Sequence, residues 1–487
     1  EMLLERSKDL SQFILDNAER AGEEIGRANP LTKTEIRRHL NMRPGLAITV
    51  FKDLSPEELG RLTEMHPPIR GLEISAQPVR DYPYGSFAAH MLGYVARDDR
   101  RMAPDRASYY YYRSDLSGRS GLERLLDDKL RGRPGRQTVV VNSNGFITES
   151  QDKEEWIEPE NGFDVQLTLD LNVQSLAEEA LKRRNGAIVV LDARTGAILA
   201  MASSPAYDPA AFVPSISVAD YRALQNDPNH PFLNRATSSY MPGSIIKPLV
   251  ALAALEAGVD PEETIDCKGL SPHGYGRGIH CTSRRGHGPL NMYDALKRSC
   301  NVYFVERGME LGVARLSALF QSAGIGSKTG VELSENSGYL PKDGPRWNRN
   351  ETAYISIGQG KVLVTPLQAA SWFAAIANGG TLWKPYLVER VYDPVPKTGR
   401  RLSVYDAKPE KRGTLAASPE SIAKIREGLF RVVNDPKGTG RRAQNDGAII
   451  CGKTGTADVS TPSGPRKNTW FCGYAEHPET KALYSFA

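Results

Sequence analysis

Three short motifs, spread over more than 200 residues, limit what this chain can fold into. They are Ser244-Ile-Ile-Lys247, Ser299-Cys-Asn301 and Lys453-Thr-Gly-Thr456, in that order along the chain. Motifs of the S-x-x-K, S-x-N and K-T-G type act together at one active site. We therefore expect one domain in which segments from both ends of this region come together around a shared site.

The bulk composition predicts a globular protein of two or three domains. The chain has 487 residues, of which 40% are hydrophobic and 25% are charged, and this length exceeds that of one ordinary domain. A net charge of +4 gives little reason to expect nucleic acid as a partner. No run of 18 apolar residues occurs, so we expect no transmembrane helix within this chain.

The change in pattern near residue 165 predicts two domains, residues 1–165 and residues 166–487. The first part shows capped short helices, such as the one predicted for residues 56–64 after Ser55. The second part begins with strands at 163–169, 186–192 and 197–202. It continues with a helix-rich middle and ends with strands at 448–456 and 469–474. This order predicts a mixed α/β domain whose sheet is built from both ends of the segment.

The first motif combines a hydroxyl and an amine at the start of a buried helix. An almost wholly apolar run from Ile245 to Leu255 follows Ser244, which predicts a buried helix with the serine in its first turn. Lys247 lies three residues further on the same face. Apolar surroundings disfavour the charged amine, and a neutral amine beside a hydroxyl is a general base. The alternative is a helix-capping serine and a lysine that extends to solvent.

The third motif is predicted to lie on a strand that binds a carboxylate. Lys453, Thr454 and Thr456 offer a cation and two hydroxyls, and Gly455 lets a substrate backbone approach closely. The N–H after this glycine and the N–H of Ser244 are candidates for an oxyanion hole. The alternative is an ordinary Thr-Gly bend in a strand.

The second motif is weak by itself, because a Ser-x-Asn sequence also caps helices. Its position between the other two motifs, 55 residues after Ser244, is what indicates a role in the same site. Ser299 is predicted to relay a proton from Lys247 to a leaving amine, and Asn301 to hydrogen-bond a substrate amide.

With these motifs, the chain resembles class B penicillin-binding proteins, the D,D-transpeptidases of cell-wall synthesis. The resemblance spans almost the whole chain. The matching blocks are Arg80-x-Tyr82-Pro83-x-Gly85, His90, Gly93-Tyr94, Gly121-Leu-Glu123, Ser204-Pro-Ala-Tyr-Asp-Pro209, Asn234-Arg-Ala236, Ile357-Gly-Gln-Gly360 and Thr365-Pro-Leu-Gln368. The stretch from Leu224 to Pro231 looks like the elongation type, penicillin-binding protein 2, rather than the division type.

This resemblance implies a fold and a reaction. The fold is a penicillin-binding, serine β-lactamase-like transpeptidase domain, a mixed sheet flanked by helices, joined to an N-terminal α+β pedestal of the dimerisation type. Ser244 attacks the penultimate D-Ala carbonyl of a peptidoglycan stem peptide, and an amine of a second stem then attacks the acyl-enzyme. β-Lactams imitate the donor and acylate Ser244. No cofactor is required for this catalysis.

The resemblance also implies a cellular setting. The family has one membrane helix, so we expect a single-pass anchor in the inner membrane, with this region on the periplasmic side. The chain does not begin with Met and stops within a predicted strand, which suggests a trimmed fragment. The implied partner is a membrane glycan polymerase of the shape-elongation-division-sporulation class, contacted by the pedestal. Three alternatives stay open: a β-lactam hydrolase or sensor of the same fold, a division-type enzyme and an inactive scaffold.

A cluster of cysteine and histidine residues surrounds the second motif. Cys267, Cys281, His287 and Cys300 are separated by 14, 6 and 13 residues, which is no standard zinc-finger spacing. Three thiols and an imidazole nevertheless form a good tetrahedral zinc set. Some elongation-type members carry zinc near the active site, and the chain resembles them at Asp266, Cys281, His287 and Cys300. The choice between Asp266 and Cys267 stays open, as do buried thiols or one disulfide with a free cysteine.

The last two cysteines, Cys451 and Cys472, lie on the two late strands. A loop centred between them would place them opposite each other, which allows a cross-strand disulfide. Two free thiols are the favoured interpretation, because a cross-strand pair strains disulfide geometry.

Overall fold

The structure, a computed structural model, describes residues 2–42, 47–75, 79–98, 115–137, 156–276, 278–344, 347–394, 402–461 and 464–487. Its helices are α1 (Met2–Ile25), α2 (Lys33–Met42), α3 (Pro56–Glu64), α4 (Ala89–Leu92), α5 (Gly121–Leu125), α6 (Asp127–Leu130), α7 (Leu171–Leu181), α8 (Val218–Asn226), α9 (Lys247–Glu256), α10 (Met292–Lys297), α11 (Asn301–Ser322), α12 (Arg349–Ile355), α13 (Pro366–Asn378) and α14 (Pro419–Asn434).

The strands in these residues are short except for the last hairpin. They are β1 (Val95–Asp98), β2 (Asp115–Gly118), β3 (Arg136–Gln137), β4 (Trp156–Ile157), β5 (Asp164–Leu167), β6 (Gly186–Asp192), β7 (Ile198–Ser204), β8 (Ile265–Cys267), β9 (Leu270–Ser271), β10 (Ile279–His280), β11 (Gly288–Leu290), β12 (Thr381–Trp383), β13 (Val388–Tyr392), β14 (Ser403–Asp406), β15 (Lys411–Thr414), β16 (Ile449–Thr461), β17 (Gly464–Glu476) and β18 (Leu483–Phe486). Within the described ranges, no helix combines the length and the apolar character needed to cross a membrane.

The chain divides into two compact units. The first comprises the described residues within 1–79, 98–115 and 132–161, and the second those within 80–97, 116–131 and 162–487. Segments 80–97 and 116–131 fall inside the predicted N-terminal domain, yet they belong to the second unit. The division at residue 165 stays a prediction.

The first unit is held by a small core between helices α1 and α3. Ala21 and Ile25 of α1 pack with Leu62 of α3 and with Ile69. Helix α3 begins after Ser55, which forms a capping box with Glu58, and the two side chains satisfy two free N–H groups at the helix start. The helix predicted for residues 56–64 is therefore present with the predicted bounds.

The second unit is built on a five-stranded sheet in the order β16-β17-β18-β6-β7. All four strand pairings are antiparallel. Strands β6 and β7 share this sheet with the last three strands, so it is built from both ends of the chain segment, as predicted. Strand β5, which precedes them, pairs with β13 in a separate sheet. Strand β16, which carries the third motif, lies at an edge of the sheet.

Helices cover both faces of the central sheet, as the alternation of apolar residues along β6 requires. Ile188 and Val190 pack in one cluster with Leu181 of α7. Val189 and Leu191 pack in another cluster with Leu367 of α13. The mixed α/β class predicted from the sequence is confirmed.

Two sequence blocks far apart in the first third of the chain meet within the second unit. Arg80 Nε lies 2.6 Å from Glu123 Oε1, and the Tyr82 hydroxyl donates to the same oxygen at 3.3 Å. Tyr82 in turn accepts from the Val95 amide at 3.2 Å. The Glu123 side chain is only 8% exposed, so this network fixes the start of the second unit.

Candidate active site

Ser244 lies in a short 3-10 turn, Gly243–Ile246, that leads directly into α9. The Lys247 amide donates to the Ser244 carbonyl, which is an i+3 bond rather than the i+4 bond of an α-helix. The residue at i+4 is Pro248, which has no N–H to donate. The helix was predicted to include Ser244 in its first α-turn, and the proline makes that turn 3-10 instead.

Lys247 is fully buried at the first position of α9, whose residues from Lys247 to Ala254 are all buried. Its Nζ donates to the Ser299 carbonyl at 2.9 Å, the Ser299 hydroxyl at 3.3 Å and Asn301 Oδ1 at 2.8 Å. Burial lowers the pKa of Lys247 from 10.5 to about 8. Among the hydrogen bonds of the described residues, none joins Lys247 Nζ to Ser244 Oγ. The first two motifs thus meet through the lysine.

The second motif forms the junction between α10 and α11. Cys300 caps α11, because its Sγ accepts from the Tyr303 amide. Ser299 has a left-handed backbone with φ 54°, which costs a residue other than glycine of order 1 kcal/mol. Asn301 Nδ2 donates to the His280 carbonyl at 2.9 Å, which leaves Oδ1 directed at Lys247. The junction thus places the side chains of Ser299 and Asn301 against the Lys247 amine.

The third motif lies on β16 beside the turn that contains Ser244. Gly243 has φ +55°, and a Cβ added there would lie 2.5 Å from the Thr456 carbonyl oxygen. A Cβ on Gly455 would lie 2.9 Å from the Pro242 carbonyl oxygen. Contacts this close exclude any side chain at both positions. The two glycines therefore let the strand and the serine turn touch.

Lys453 is fully buried, and its Nζ donates to the Thr454 carbonyl at 3.0 Å. Burial and the nearby Lys247 amine lower the pKa of Lys453 well below 10.5. An anion in the site would offset this desolvation, because an opposite charge favours the ammonium form.

Sequence reasoning missed Thr439, which joins the walls formed by the second and third motifs. The Thr454 hydroxyl donates to Thr439 Oγ1 at 3.0 Å. The Thr439 hydroxyl and amide both donate to the Lys297 carbonyl at 3.3 Å, two residues before Ser299. The signal in the sequence was Gly438-Thr-Gly440, a short Gly-rich stretch upstream of the strand.

Four of the five predicted metal-binding residues come together under this junction. The donor atoms of Cys267, Cys281, His287 and Cys300 all lie within 4.8 Å of one another. Cys281 Sγ lies 3.4 Å from His287 Nδ1 and 3.8 Å from Cys300 Sγ. Tetrahedral zinc bonds imply sulfur–nitrogen and sulfur–sulfur separations of roughly 3.6 and 3.8 Å. The donor types and their spacing both fit zinc.

The fifth predicted ligand, Asp266, is exposed and is not part of this group of four. Its neighbour Cys267 is buried, and Cys267 Sγ lies 3.6 Å from His287 Nδ1. Successive side chains on a strand point to opposite sides, so β8 directs only one of the two toward the cluster. The hydrogen bond between the Cys281 and Cys300 thiols lowers the pKa of Cys281, which favours the thiolate that metals bind.

The expectation that Cys451 and Cys472 face each other is wrong. Cys451 pairs with Tyr474, and Cys472 pairs with Lys453. The β16–β17 turn begins after Thr461, which pairs with Gly464, and this shifts the register by two residues relative to a loop centred between the cysteines. Both thiols are free and buried.

Comparisons with known proteins match both parts of the chain. Residues 186–486 match the family model of the penicillin binding protein transpeptidase domain. Residues 5–167 match the model of the penicillin-binding protein dimerisation domain.

Two curated relatives are named peptidoglycan D,D-transpeptidase MrdA. The one from Acinetobacter baumannii is 32% identical over 94% of this chain and 69% of its own length. The one from Escherichia coli strain K12 is 33% identical over 85% of this chain and 66% of its own length. The chain thus spans about two thirds of these relatives.

Solved structures with a similar fold include two of PBP2. Pseudomonas aeruginosa PBP2 in complex with WCK 5153 has a TM-score of 0.67 at 30% identity, over 85% of this chain and 87% of that one. Helicobacter pylori PBP2 in complex with MreC has a TM-score of 0.67 at 28% identity, over 83% and 74%. A chain of a peptidoglycan synthase complex that coordinates polymerisation and crosslinking has a TM-score of 0.72 at 30% identity, over 94% and 81%.

Proposed function

This chain belongs to the penicillin-binding protein family of peptidoglycan D,D-transpeptidases, and from that premise we propose that Ser244 is its acyl-accepting nucleophile. The observation that carries the assignment is the Lys247 amine, fully buried and bonded to Ser299 and Asn301. The elongation type predicted from the sequence is confirmed by the relatives named MrdA and the PBP2 structures.

In the proposed first step, the Ser244 oxygen attacks the carbonyl carbon of the penultimate D-Ala of a donor stem peptide. Lys247 accepts the Ser244 proton, and its lowered pKa keeps part of the amine neutral for this task. The backbone N–H groups of Ser244 and Thr456 bind the oxyanion. Their proximity is supported by the contact of Thr456 with Gly243.

Collapse of the tetrahedral intermediate breaks the C–N bond and releases D-Ala. The Ser299 hydroxyl lies 3.3 Å from Lys247 Nζ, within reach to pass the proton to the departing amine. Asn301 holds the amide of the substrate. In the second step an amine of a neighbouring stem attacks the acyl-enzyme, and Ser244 regains its proton. β-Lactams follow the first step and stop at the acyl-enzyme.

The donor's terminal carboxylate is proposed to bind along β16, at Lys453 and the hydroxyls of Thr454 and Thr456. Thr456 is exposed and Thr454 is half-buried, and the Thr454 hydroxyl, which donates to Thr439 Oγ1, must exchange that bond to donate to the carboxylate. Burial disfavours the charged form of Lys453, and an anion beside the amine would offset that cost. Binding of a carboxylate and protonation of Lys453 are therefore coupled.

We further propose a structural zinc ion held by Cys267, Cys281, His287 and Cys300, with Cys267 rather than Asp266 as the fourth ligand. The three thiols and the imidazole would supply a closed tetrahedral set with no open position for chemistry. Cys281 and Cys300 frame the junction that carries Ser299 and Asn301, since Asn301 N donates to Cys281 Sγ at 3.4 Å. Elemental analysis of protein purified without chelator should find about one zinc per chain; less than about a tenth would contradict this.

The proposed setting is the outer side of the inner membrane, with a single-pass anchor outside this chain. The proposed partner is a membrane glycan polymerase of the shape-elongation-division-sporulation class, bound through residues 1–165. Support comes from the 30% identity to a chain of a peptidoglycan synthase complex that couples polymerisation to crosslinking. Co-purification of the full-length protein with such a polymerase would test it, and failure to co-purify would contradict it.

Labelling with a fluorescent penicillin tests the nucleophile. The adduct should map by peptide mass to the segment with Ser244, and it should be absent from Ser244→Ala. Ser238→Ala, six residues upstream, is the matched control and should label like the wild type. Equal labelling of Ser244→Ala would refute the assignment.

A further inference from the structure

Two adjacent arginines form the tip of a tight turn beside the proposed zinc ligands. The Gly286 amide donates to the Ser283 carbonyl at 3.0 Å, and the Ser283 hydroxyl donates to the Gly286 carbonyl at 2.7 Å. Arg284 and Arg285 occupy the two central positions, and both are exposed. The turn lies between Cys281 and His287, so its position is fixed on both sides.

The turn adjoins the part of the site that holds a substrate amide. Asn301 bonds to the His280 carbonyl and to Cys281 Sγ, and His280 precedes Arg284 by four residues. A chain of four residues spans at most about 14 Å. The arginine side chains therefore begin within that distance of the backbone that supports Asn301.

Neighbouring carboxylates in the sequence do not balance the charge on this loop. No Asp or Glu occurs between Cys267 and Tyr293 in the sequence. The nearest acids on either side are Asp266, which is exposed, and Asp294, which lies 2.7 Å from Lys297. Glu306 of α11 is engaged by Ser271 and His273.

Two further basic side chains, Lys268 and Arg298, lie close in the sequence to the two arginines of the turn. We call the set of four the cationic turn. Lys268, Arg284 and Arg285 are exposed, and Arg298 is half-buried with Nη1 3.4 Å from the His287 carbonyl. None of these four takes part in an ion pair with another described residue. The whole chain carries only +4, so four cations without an ion pair among the described residues, at one rim of the site, are a marked concentration of charge.

The proposed binding mode sets which part of the substrate reaches this rim. The terminal carboxylate lies at β16 and the preceding amide at Asn301, so the amino side of the donor continues past Asn301 toward the loop. An extended peptide advances about 3.3–3.6 Å per residue. One to three residues on the amino side of the acylated residue therefore come within reach of the arginines.

We propose that the cationic turn binds a carboxylate of the donor peptide on the amino side of the acylated residue. The enzyme then prefers stems that carry a free carboxylate there over stems in which it is a carboxamide. Arginine suits this task because its planar guanidinium pairs with both carboxylate oxygens. This inference rests on the proposed function, since it assumes that Ser244 is acylated by the donor.

A pair of penicillins that differ by one carboxylate tests the proposal. Carbenicillin carries a carboxylate on the carbon next to its side-chain amide, and benzylpenicillin has a hydrogen there. The second-order acylation constants of both drugs are measured for the wild type and for the double variant Arg284→Gln/Arg285→Gln. Arg315→Gln, an exposed arginine on α11, is the matched control.

The double variant should lower the constant for carbenicillin about three- to tenfold while that for benzylpenicillin stays within about twofold, as expected for solvent-exposed ion pairs. The preference of the wild type for carbenicillin should shrink at 1 M salt, where the Debye length is about 3 Å. Synthetic donor stems with a carboxylate or a carboxamide at that position should show the same difference.

Three results would overturn the inference. Equal decreases in the acylation constants of both drugs in the double variant would assign the arginines a purely structural role. Unchanged constants for both drugs would show that the arginines do not contact the bound drug. Failure of both drugs to acylate wild-type Ser244 would instead overturn the proposed function along with it. A selective loss in Arg315→Gln as large as in the double variant would also contradict the local account.

Discussion

The burial of Lys247 predicts how the acylation rate depends on pH. Desolvation lowers the pKa of this amine to about 8, and in the proposed mechanism only the neutral amine accepts the Ser244 proton. The neutral fraction is then about a tenth at pH 7 and about nine tenths at pH 9, which predicts a roughly tenfold rise in rate that levels off. An unshifted lysine would give a rise of about a hundredfold over this interval with no plateau.

The measurement is the second-order acylation constant for benzylpenicillin between pH 6 and pH 10. This constant reports the pKa values of the free enzyme, and initial rates avoid the alkaline hydrolysis of the drug. The variant Lys247→Arg serves as the comparison, because arginine stays protonated in proteins. It should be slower by about 100-fold or more, the typical contribution of a general base, and should show no rise with pH.

A wild-type profile that is flat from pH 6 to pH 9 would refute the role of Lys247 as the base. A tenfold rise for each pH unit that continues beyond pH 9.5 would refute the effect of burial on its pKa. A rise with the same midpoint in Lys247→Arg would assign the titration to another group.

Substitutions at three further positions test the supports of the site and of the second unit. Thr439→Val should lower the acylation constant about three- to tenfold, because it removes a hydrogen bond to Thr454 worth about 1 kcal/mol, and Thr439→Ser should restore it; equal rates in both variants would contradict the bridging role. Cys281→Ser should lower the zinc content and reduce the melting temperature by several degrees. An unchanged zinc content would show that Cys281 is not a zinc ligand. Glu123→Gln should cost about 1–3 kcal/mol in urea unfolding, because the partner Arg80 is charged and Glu123 is buried; no change would show that the pair is not stabilising.

Local signals in the sequence predicted much of the fold. The capping serine before residue 56 and the apolar run after Ser244 placed helices correctly, because capping and burial act over a few neighbouring residues. Features that depend on residues far apart in the sequence could not be predicted. The register of the last hairpin depends on where its turn closes, and a shift of two residues separated Cys451 from Cys472.

The same division holds for the active site. The motif residues were predictable, because their types and order follow from the chemistry. The bridge through Thr439 was not, since it depends on a tertiary contact between a loop and β16. Which of Asp266 and Cys267 lies beside Cys281, His287 and Cys300 was equally beyond the sequence, because it depends on the side of β8 that faces this group.

The most direct test of the account is a reaction between a synthetic donor stem ending in D-Ala-D-Ala and an acceptor stem with a free amine, analysed by mass spectrometry. The account predicts one released D-Ala for each crosslinked product, with both lost in Ser244→Ala. Crosslinks that persist in Ser244→Ala, or D-Ala release by the wild type with hydrolysis as the sole outcome, would contradict it.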